Sequence, residues 1–309
     1  MRRRLVLLAV AAAAGWAAPP PVRTDRAVLR VPFWMEGAAA PVVSAKLNGE
    51  PVKIARLLGP GDDLVILLVL DLAGDLSRVD PAREALQERL GQLPPNALVS
   101  LLRAQDGLRV LQDPTADRAA VQSKIQELTI SGRAGLLDSV ETALAVGDAM
   151  LAKSKVRVAL LYVSDSLATN YREDFANPVV NSSDSGDMSR RFPEALIKVR
   201  MQQLHAKVAR TQTPLFIVQL NYENDRLNEA YQTGLLELAN ATGGSAEFAR
   251  TPAEIPVAIS DMVERVSGHS SAELEFKRVK ARQWEIELAA EGAAVRHRTR
   301  FLPAGGGSQ

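Results

Sequence analysis

Two aspartates occupy positions where a side chain could bind a ligand or take part in catalysis. Asp71 directly follows a seven-residue apolar run at 64–70, and Asp165 lies two residues beyond a second apolar segment at 156–163. Such segments are typical of strands buried on both faces of a parallel sheet. A carboxylate that closes a buried strand needs a partner. Ligands of such sheets bind at the carboxyl ends of the strands, so these two positions form the first candidate site.

The signatures of common enzymes are missing from the sequence. Its histidines, His205, His269 and His297, are far apart, and no His-Glu-x-x-His, Gly-x-Ser-x-Gly or phosphate-binding loop occurs. Asp71 could open a phosphatase of the haloacid dehalogenase type, but Ala73 replaces the second acidic residue that this chemistry requires. The absence of cysteine excludes thiolate metal sites and disulfides. The protein is therefore predicted not to be an enzyme.

Strands alternate with helices through the middle of the chain. Asp80-Pro81 predicts the start of a first helix, and Asp117 that of a second. Thr251 and Glu254 form a capping box before the last helix. This alternation predicts an α/β fold with a doubly wound, mostly parallel sheet and helices on both faces.

Shorter β segments flank this predicted domain, which spans residues 63–268. Residues 19–62 contain alternating apolar pieces and an Asn48-Gly49 pair that predicts a hairpin turn. Residues 269–302 alternate in the same way, for example at Trp284 and Ile286. The glycine-rich tail at 303–309 is predicted to be disordered. We therefore expect small β additions at both ends of the central domain.

The order of these elements resembles that of a von Willebrand factor type A (VWA) domain, from about Asp63 to about Gly268. The most specific stretch is 96–128, in which strand, hairpin, Pro-Thr-Ala-Asp and helix follow in the order that this family shows. The segment Asn-Gly-Glu-Pro-Val-Lys-Ile at 48–54 is similar to the lead-in of an exported bacterial branch of the family. The resemblance implies a Rossmann-like fold that binds proteins through the loops at the strand ends.

Members of the VWA family often carry a metal-ion-dependent adhesion site built from three loops. The first supplies Asp-x-Ser-x-Ser, the second a threonine and the third an aspartate. Here Asp71 and Asp165 match, whereas Ala73 and Asp75 replace the two serines and Ala134 stands at the threonine position. The resemblance therefore implies a degenerate metal site made of Asp71, Asp75 and Asp165.

Two outcomes remain open for this degenerate site. Mg²⁺ prefers six oxygen ligands, and the two lost hydroxyls leave positions that water must fill, while Asp75 adds negative charge. Weak binding of Mg²⁺, Mn²⁺ or Ca²⁺ by the three aspartates is one outcome. In the other, no metal binds, and the Arg133 guanidinium lies among carboxylates that would otherwise repel one another.

The N-terminus has the pattern of a signal peptide at residues 1–18. Arg2, Arg3 and Arg4 precede an apolar run and then small residues, and the run is too short for a comfortable membrane span. Without these arginines the chain has 34 basic and 36 acidic residues, a net charge of −2. We therefore expect an exported protein, periplasmic or secreted, with no membrane span in the mature chain and no field that attracts nucleic acid.

The predicted function is protein binding, in adhesion or assembly, through a strand-end face formed by the loops at 71–78, 131–138 and 164–191. One alternative is a structural scaffold that binds its partners on the helices or the β segments. A more remote alternative is a metal-dependent hydrolase. The identity of the protein partner cannot be read from the sequence. The residues predicted to contact it are Asp75, Arg133, Ser164, Asp165 and Ser166.

Overall fold

A computed structural model of the protein describes residues 26–37, 42–171, 193–278 and 281–303. The predicted signal peptide at 1–18, residues 172–191 of the strand-end face and residues 304–309 of the predicted tail lie outside these ranges. Within them, every helix is too short or too polar to cross a membrane.

The described residues form two sheets and six α-helices. The strands are β1 (Arg26–Gly37), β2 (Val43–Leu47), β3 (Glu50–Pro51), β4 (Lys53–Leu58), β5 (Leu64–Asp71), β6 (Ala97–Arg103), β7 (Arg109–Thr115), β8 (Arg157–Ser164), β9 (Leu215–Gln219), β10 (Ser245–Phe248), β11 (Ser270–Lys277), β12 (Trp284–Ala290), β13 (Ala293–His297) and β14 (Arg300–Phe301). The helices are α1 (Leu76–Gly91), α2 (Arg118–Gln126), α3 (Leu136–Lys153), α4 (Pro193–Val208), α5 (Arg226–Thr242) and α6 (Ile255–Gly268). Short 3₁₀ helices lie at Ala168–Tyr171 and Pro252–Glu254.

The central sheet has six strands in the order β10-β9-β8-β5-β6-β7. All neighbours are parallel except β6 and β7, which form an antiparallel hairpin. Every residue of β5 and β8 is buried, because helices cover both faces. Ile66 and Leu68 pack against α1, α2 and α6, while Leu67 and Val69 pack against α3, α4 and α5. The predicted α/β class, with a mostly parallel sheet between two helical layers, is confirmed.

Small, separate β additions were expected at the two ends of the chain, but the structure differs. They pair with each other in one antiparallel second sheet, ordered β3-β2-β12-β13-β1-β11-β4, with β14 beside β12. This second sheet has its own core, which includes Phe33, Leu274 and Ile286. The reason is physical: a short hairpin cannot bury its apolar face alone, whereas strands from both ends together can.

Buried arginines attach the second sheet to the amino ends of the central strands. Arg157, at the start of β8, is 1% exposed and donates hydrogen bonds to the backbone oxygens of Pro60, Asp62, Ser267 and His269. Arg30 of β1 donates to the oxygens of Ser154 and Val156, just before β8. Arg298 donates to those of Ala209 and Thr211, before β9. The second sheet therefore lies at the end of the central sheet opposite to Asp71 and Asp165.

Two helix starts differ from the prediction. Helix α1 begins at Leu76, capped by Asp75, so that Asp80 and Pro81 lie within its second turn. Thr251 makes no side-chain cap, and Glu254 instead accepts a hydrogen bond from the Arg250 N–H. The Asp117 cap of α2 is confirmed, since its Oδ1 accepts from the Ala120 N–H at 3.0 Å.

Candidate functional site

Asp71 and Asp165 meet at the carboxyl ends of β5 and β8, as their positions in the sequence predict. The two strands are adjacent and parallel, and the Asp165 N–H donates to the Asp71 backbone oxygen at 3.3 Å. Three loops converge here: the one before α1, the one before α3 and the one after β8. The two aspartates are therefore brought together at one edge of the central sheet.

Asp71 is fully buried and accepts hydrogen bonds from two elements. Its Oδ1 accepts from the Gly135 N–H and its Oδ2 from the Leu136 N–H, each at 3.0 Å. The hydroxyls of Ser164 and Ser166 also donate to Oδ2, each at 3.3 Å. No side chain of the α3 segment itself caps that helix. The Asp71 carboxylate therefore caps α3 from another strand and ties the helix to the loop after β8.

Burial raises the pKa of Asp71 to about 6, the N–H groups of Gly135 and Leu136 act to lower it, and the charge of Asp165 raises it further. The backbone must approach closely to make these bonds. A Cβ on Gly135 would lie 1.9 Å from the Ala104 backbone oxygen, so only glycine fits here. Glycine at this position allows the start of α3 to reach Asp71.

The Asp165 carboxylate is enclosed by three successive backbone N–H groups. Oδ1 accepts from Ala73 at 2.7 Å, and Oδ2 accepts from Gly74 at 3.0 Å and from Asp75 at 3.1 Å. We call the N–H groups of Ala73, Gly74 and Asp75 the amide cradle. Successive N–H groups at the start of a helix form a concave site that favours an anion. Here the anion is a side chain of the same protein, which is 7% exposed.

Asp75 and Arg133 lie at the surface and make other contacts. The Asp75 carboxylate accepts from the Ser77 N–H at 3.0 Å and the Ser77 hydroxyl at 2.6 Å, and it lies 3.3 Å from the Arg78 guanidinium. These contacts, that with the Ser77 hydroxyl first, lower the pKa of Asp75. The Arg133 N–H donates to Asp106 Oδ1 at 3.0 Å.

The described hydrogen bonds do not place the predicted Arg133 guanidinium against Asp71 or Asp165. Among the described residues, the donors to these two aspartates are backbone N–H groups and serine hydroxyls. Helix starts supply this partial positive charge without the cost of burying a guanidinium.

Three residues predicted to contact a partner are buried. Ser164, Asp165 and Ser166 are 0%, 7% and 1% exposed, and they hold the loops together from inside. Asp75 and Arg133 are exposed. The correction follows from the hydrogen bonds: each buried polar group faces a partner within the protein and therefore cannot face outward.

The donors around the aspartates do not fit a divalent cation. A carboxylate offers about four lone-pair positions. Three donors point at Oδ2 of Asp71 and one at its Oδ1, while two donors point at Oδ2 of Asp165 and one at its Oδ1, so neither Oδ2 has a lone pair left for a cation. The Asp75 carboxylate faces Ser77 and Arg78 instead. No group of three or more His, Cys, Asp or Glu side chains in the described ranges could hold a metal ion. The predicted set of Asp71, Asp75 and Asp165 is thus not arranged as metal ligands.

The sequence analysis missed a glutamine that connects the loops. Gln105 is 1% exposed and lies two residues after the end of β6, and its Nε2 donates to the Leu72 backbone oxygen at 2.6 Å. Arg103 Nε donates in turn to Gln105 Oε1 at 3.1 Å. A polar side chain just after a strand beside β5 is the same signal that identified Asp71, so it could have been found.

Three of the four tyrosines of the chain lie buried near Asp71. The Tyr162 hydroxyl is 2.8 Å from the Ser139 hydroxyl, and the Leu136 N–H also donates to the Tyr171 hydroxyl at 3.0 Å. Tyr231 packs against Tyr171 with ring centroids 6.0 Å apart. Burial raises the pKa of all three, so these phenols remain neutral. They support the loops from beneath and are not accessible to a partner.

Two half-buried aromatic rings and an exposed arginine lie at the same end of the sheet. Tyr222 follows β9, packs edge-on against Phe248 of β10 with centroids 6.3 Å apart, and has the Arg250 guanidinium 5.1 Å from its ring centroid. We call these three residues the Tyr222 patch. The Arg78 guanidinium donates to the Leu220 backbone oxygen at 2.7 Å, which connects α1 to the start of this loop. The sequence analysis did not single out the patch.

The histidines do not form a catalytic pair with the site. His269 is buried where the second sheet meets the central sheet, and its Nδ1 lies 2.7 Å from the Val266 oxygen. Burial lowers the pKa of His269 to about 4. His297 Nε2 accepts from the Leu288 N–H at 3.1 Å, and His205 is exposed on α4. None of the three has a described hydrogen bond or ion pair with Asp71 or Asp165.

The solved structures that are similar to this chain include von Willebrand factor type A proteins. One is a von Willebrand factor type A protein from Catenulispora acidiphila, with 10% identity, 87% of this chain and 75% of that chain covered, and a TM-score of 0.46. Another is the vWF domain of the type V pili tip protein Mfa5 from Porphyromonas gingivalis, with 16% identity, 66% and 94% covered, and a TM-score of 0.43. A third is an aerotolerance-related membrane protein from Bacteroides fragilis, with 13% identity, 66% and 98% covered, and a TM-score of 0.39.

No family model matches the chain, and no curated protein matches it. Because the identities are low and the TM-scores lie below 0.5, these likenesses say nothing about function. The function proposed next rests on the geometry of this chain.

Proposed function

We propose that this protein is an exported protein-binding module that uses its strand-end face, together with the adjoining Tyr222 patch, to hold a partner in adhesion or assembly. One observation carries the proposal. The second sheet covers the amino ends of the central strands, and helices cover both faces of the central sheet. At the carboxyl ends the described loops present exposed side chains, and buried hydrogen bonds beneath them hold these loops.

The composition of this end of the molecule supports binding to a protein. Leu76, beside Asp75, is 58% exposed and adds apolar surface to this end of the molecule. The Tyr222 patch combines an aromatic ring with an exposed arginine, and tyrosine and arginine are enriched among the residues that contribute most to protein interfaces. The Arg250 guanidinium favours a partner that presents acidic side chains, and Leu76 and the Tyr222 ring favour apolar ones.

A binding experiment with matched variants tests the proposal. The tagged full-length chain is crosslinked in its host, the partner is identified, and its affinity is then measured with purified proteins. Arg250→Glu and Tyr222→Ser should each weaken binding by about 30-fold or more, because each removes a contact of the size found at interface hot spots. Both substitutions lie on exposed or half-buried side chains and should leave the fold intact.

The control variants lie on the second sheet. Lys46 and Glu287 face each other there at 3.5 Å and are both more than half exposed, so exchanging their charges should not alter the fold. If the exchange of Lys46 and Glu287 abolished binding while Arg250→Glu did not, the scaffold alternative, with partners on the β segments, would replace the proposal. Unchanged affinity in every variant would also exclude the strand-end face.

Export is a separate part of the proposal and rests on the sequence of residues 1–18. We expect the mature protein to begin close to Pro19, and to lie in the periplasm or outside the cell. N-terminal sequencing of protein recovered from cell fractions tests this. An intact Met1 in the cytoplasmic fraction would contradict it.

A further inference from the structure

We infer that the Asp165 carboxylate serves as a built-in anionic ligand that sets the strand-end face, at the place where the resembled family holds a metal ion. This inference concerns how the loops are held, and it stands whether or not the face binds the proposed partner. It starts from the disagreement between the implied metal site and the donors that surround the aspartates.

The loop before α1 attracts a negative charge and not a positive one. A loop that supports a bound cation presents oxygen atoms toward it. The amide cradle instead presents three hydrogens to the two oxygens of one carboxylate, with N···O distances of 2.7, 3.0 and 3.1 Å. A carboxylate is the group that such a cradle favours, and a cation placed there would face the positive ends of three N–H dipoles.

The serine hydroxyls of the resembled pattern are not needed to attach this loop to Asp165. In the resembled pattern the positions of Ala73 and Asp75 carry serine hydroxyls. In this protein the same two positions contribute their backbone N–H groups, which any non-proline residue has. The loss of the serine hydroxyls and the threonine hydroxyl, at Ala134, therefore leaves the attachment of the loop to Asp165 unaffected.

Asp71 and Asp165 also connect the strand-end loops to one another. Asp165 connects the loop after β8 to the start of α1, while Asp71 connects β5 to the start of α3. The Asp165 N–H donates to the Asp71 backbone oxygen. The two carboxylates therefore fix the amino ends of two helices relative to each other. Asp165 is a positioning residue, and the face it positions should keep one arrangement whether or not divalent cations are present.

The test is chemical rescue of a variant that lacks the carboxylate. Asp165→Ala empties the cradle of its anion and leaves room for a formate ion, the smallest carboxylate. We expect thermal unfolding of the full chain to occur roughly 5 °C lower in the variant, because charge-assisted hydrogen bonds are lost. Formate should raise the midpoint of Asp165→Ala more than sodium chloride at the same concentration does. Wild type should show no such difference.

The matched control is Asp225→Ala. Asp225 also accepts from two backbone N–H groups at a helix start, those of Leu227 and Asn228, but it is exposed at the surface. Formate should not rescue this variant beyond the sodium chloride effect, because an open helix start has no enclosed cradle. Equal rescue of both variants would show a general salt effect and would overturn the inference.

A cation arm completes the design and needs only the wild-type chain. Its unfolding midpoint should be the same with chelator and with millimolar Mg²⁺, Mn²⁺ or Ca²⁺. A rise of several degrees with a cation, lost in Asp165→Asn, would show a working metal site and overturn the inference. Should Asp165→Ala fail to fold, Asp165→Asn keeps one acceptor oxygen for the cradle, and the cation arm still decides the question.

Discussion

At the scale of single residues, backbone N–H groups solve the charge problem that the sequence poses. Asp71 and Asp165 lie on adjacent strands and would repel each other if only their side chains are considered. Five N–H groups and two hydroxyls face them in the structure. Asp71 is the more deeply buried of the two, and burial raises its pKa to about 6.

The raised pKa of Asp71 predicts a specific dependence of stability on pH. The folded protein binds the Asp71 proton more tightly than the unfolded chain, whose ordinary value is 3.8. Ionisation between these values therefore lowers the free energy of unfolding as the pH rises from about 4 to about 6, by about 3 kcal/mol in total. Asp71→Asn has no such group, so its stability relative to wild type should rise over this window and stay constant above about pH 7.

Urea denaturation of both proteins across this pH range measures the effect. Only the pH dependence of the difference is needed, so the absolute stability of Asp71→Asn does not affect the result. A difference that changes in the opposite direction would mean that the hydrogen bonds, or a cation, hold the pKa of Asp71 below its ordinary value.

At the scale of elements, the strands and the hairpin turns could be predicted from the sequence, but the helix start at Asp75 could not. Asp80-Pro81 carries a familiar start signal, yet α1 begins one turn earlier. Pro81 therefore lies beyond the first turn, the place where the signal would put it, and leaves the backbone oxygen of Ser77 without its usual N–H donor. Asp75 caps the helix by side chain and holds Asp165 by its backbone N–H.

The partners of Asp71 and Asp165 could not be predicted, for a related reason. Backbone N–H groups are present at nearly every residue and leave no signature in the sequence. The charge of a side chain, in contrast, can be read from the sequence, so Arg133 was predicted to be the partner of the carboxylates. The position of each aspartate, by contrast, followed from the buried strand before it. Pairing of β1 with β11 and β13 was also unpredictable, because strands of similar alternation can pair in several orders.

Because Asp75 caps α1 and Asp80 does not, alanine at Asp75 should lower the stability more than alanine at Asp80. Asp75→Ala should lower the free energy of unfolding by about 1 kcal/mol, since it removes the side-chain acceptor for the Ser77 N–H. Asp80→Ala should change it by less than about 0.5 kcal/mol, because Asp80 lies exposed within the helix. Chemical denaturation of the two variants checks this. A larger loss for Asp80→Ala would place the functional start of α1 where the sequence alone suggested.

At the scale of the whole molecule, the two sheets behave as one unit because charged side chains bind backbone oxygens across their junction. Arg157 alone satisfies four such oxygens, on the link between β4 and β5 and at the end of α6. The Trp34 indole N–H donates to the Arg265 oxygen of α6 at 3.1 Å, and its ring meets Phe216 of β9 edge-on. The strand-end face is thus supported by a continuous structure.

Loss of Arg157 should uncouple the two sheets. Arg157→Met keeps an unbranched side chain but leaves the four oxygens without their donor, so we expect a loss of about 3 kcal/mol or more. Trp34 and Trp284 both lie in the second sheet, so that in the mature chain fluorescence reports on this sheet while circular dichroism reports on the helices. The two urea transitions should coincide in wild type and separate in Arg157→Met.

The control for this variant is Arg26→Met, which removes an exposed ion pair with Glu275. Its effect should stay below about 1 kcal/mol, with coincident transitions. If the wild-type transitions were already separate, the second sheet would be an independent domain.

Hydrogen exchange at the amides of Ala73, Gly74, Asp75, Gly135 and Leu136 tests most directly whether the chain's own carboxylates hold the strand-end loops. NMR spectra of the wild-type protein are recorded first with chelator and then with millimolar Mg²⁺. Because these amides donate to Asp71 and Asp165, they should be protected to the same degree in both conditions. Rapid exchange with chelator that slows when Mg²⁺ is added would contradict this, and would show that a metal ion orders the face.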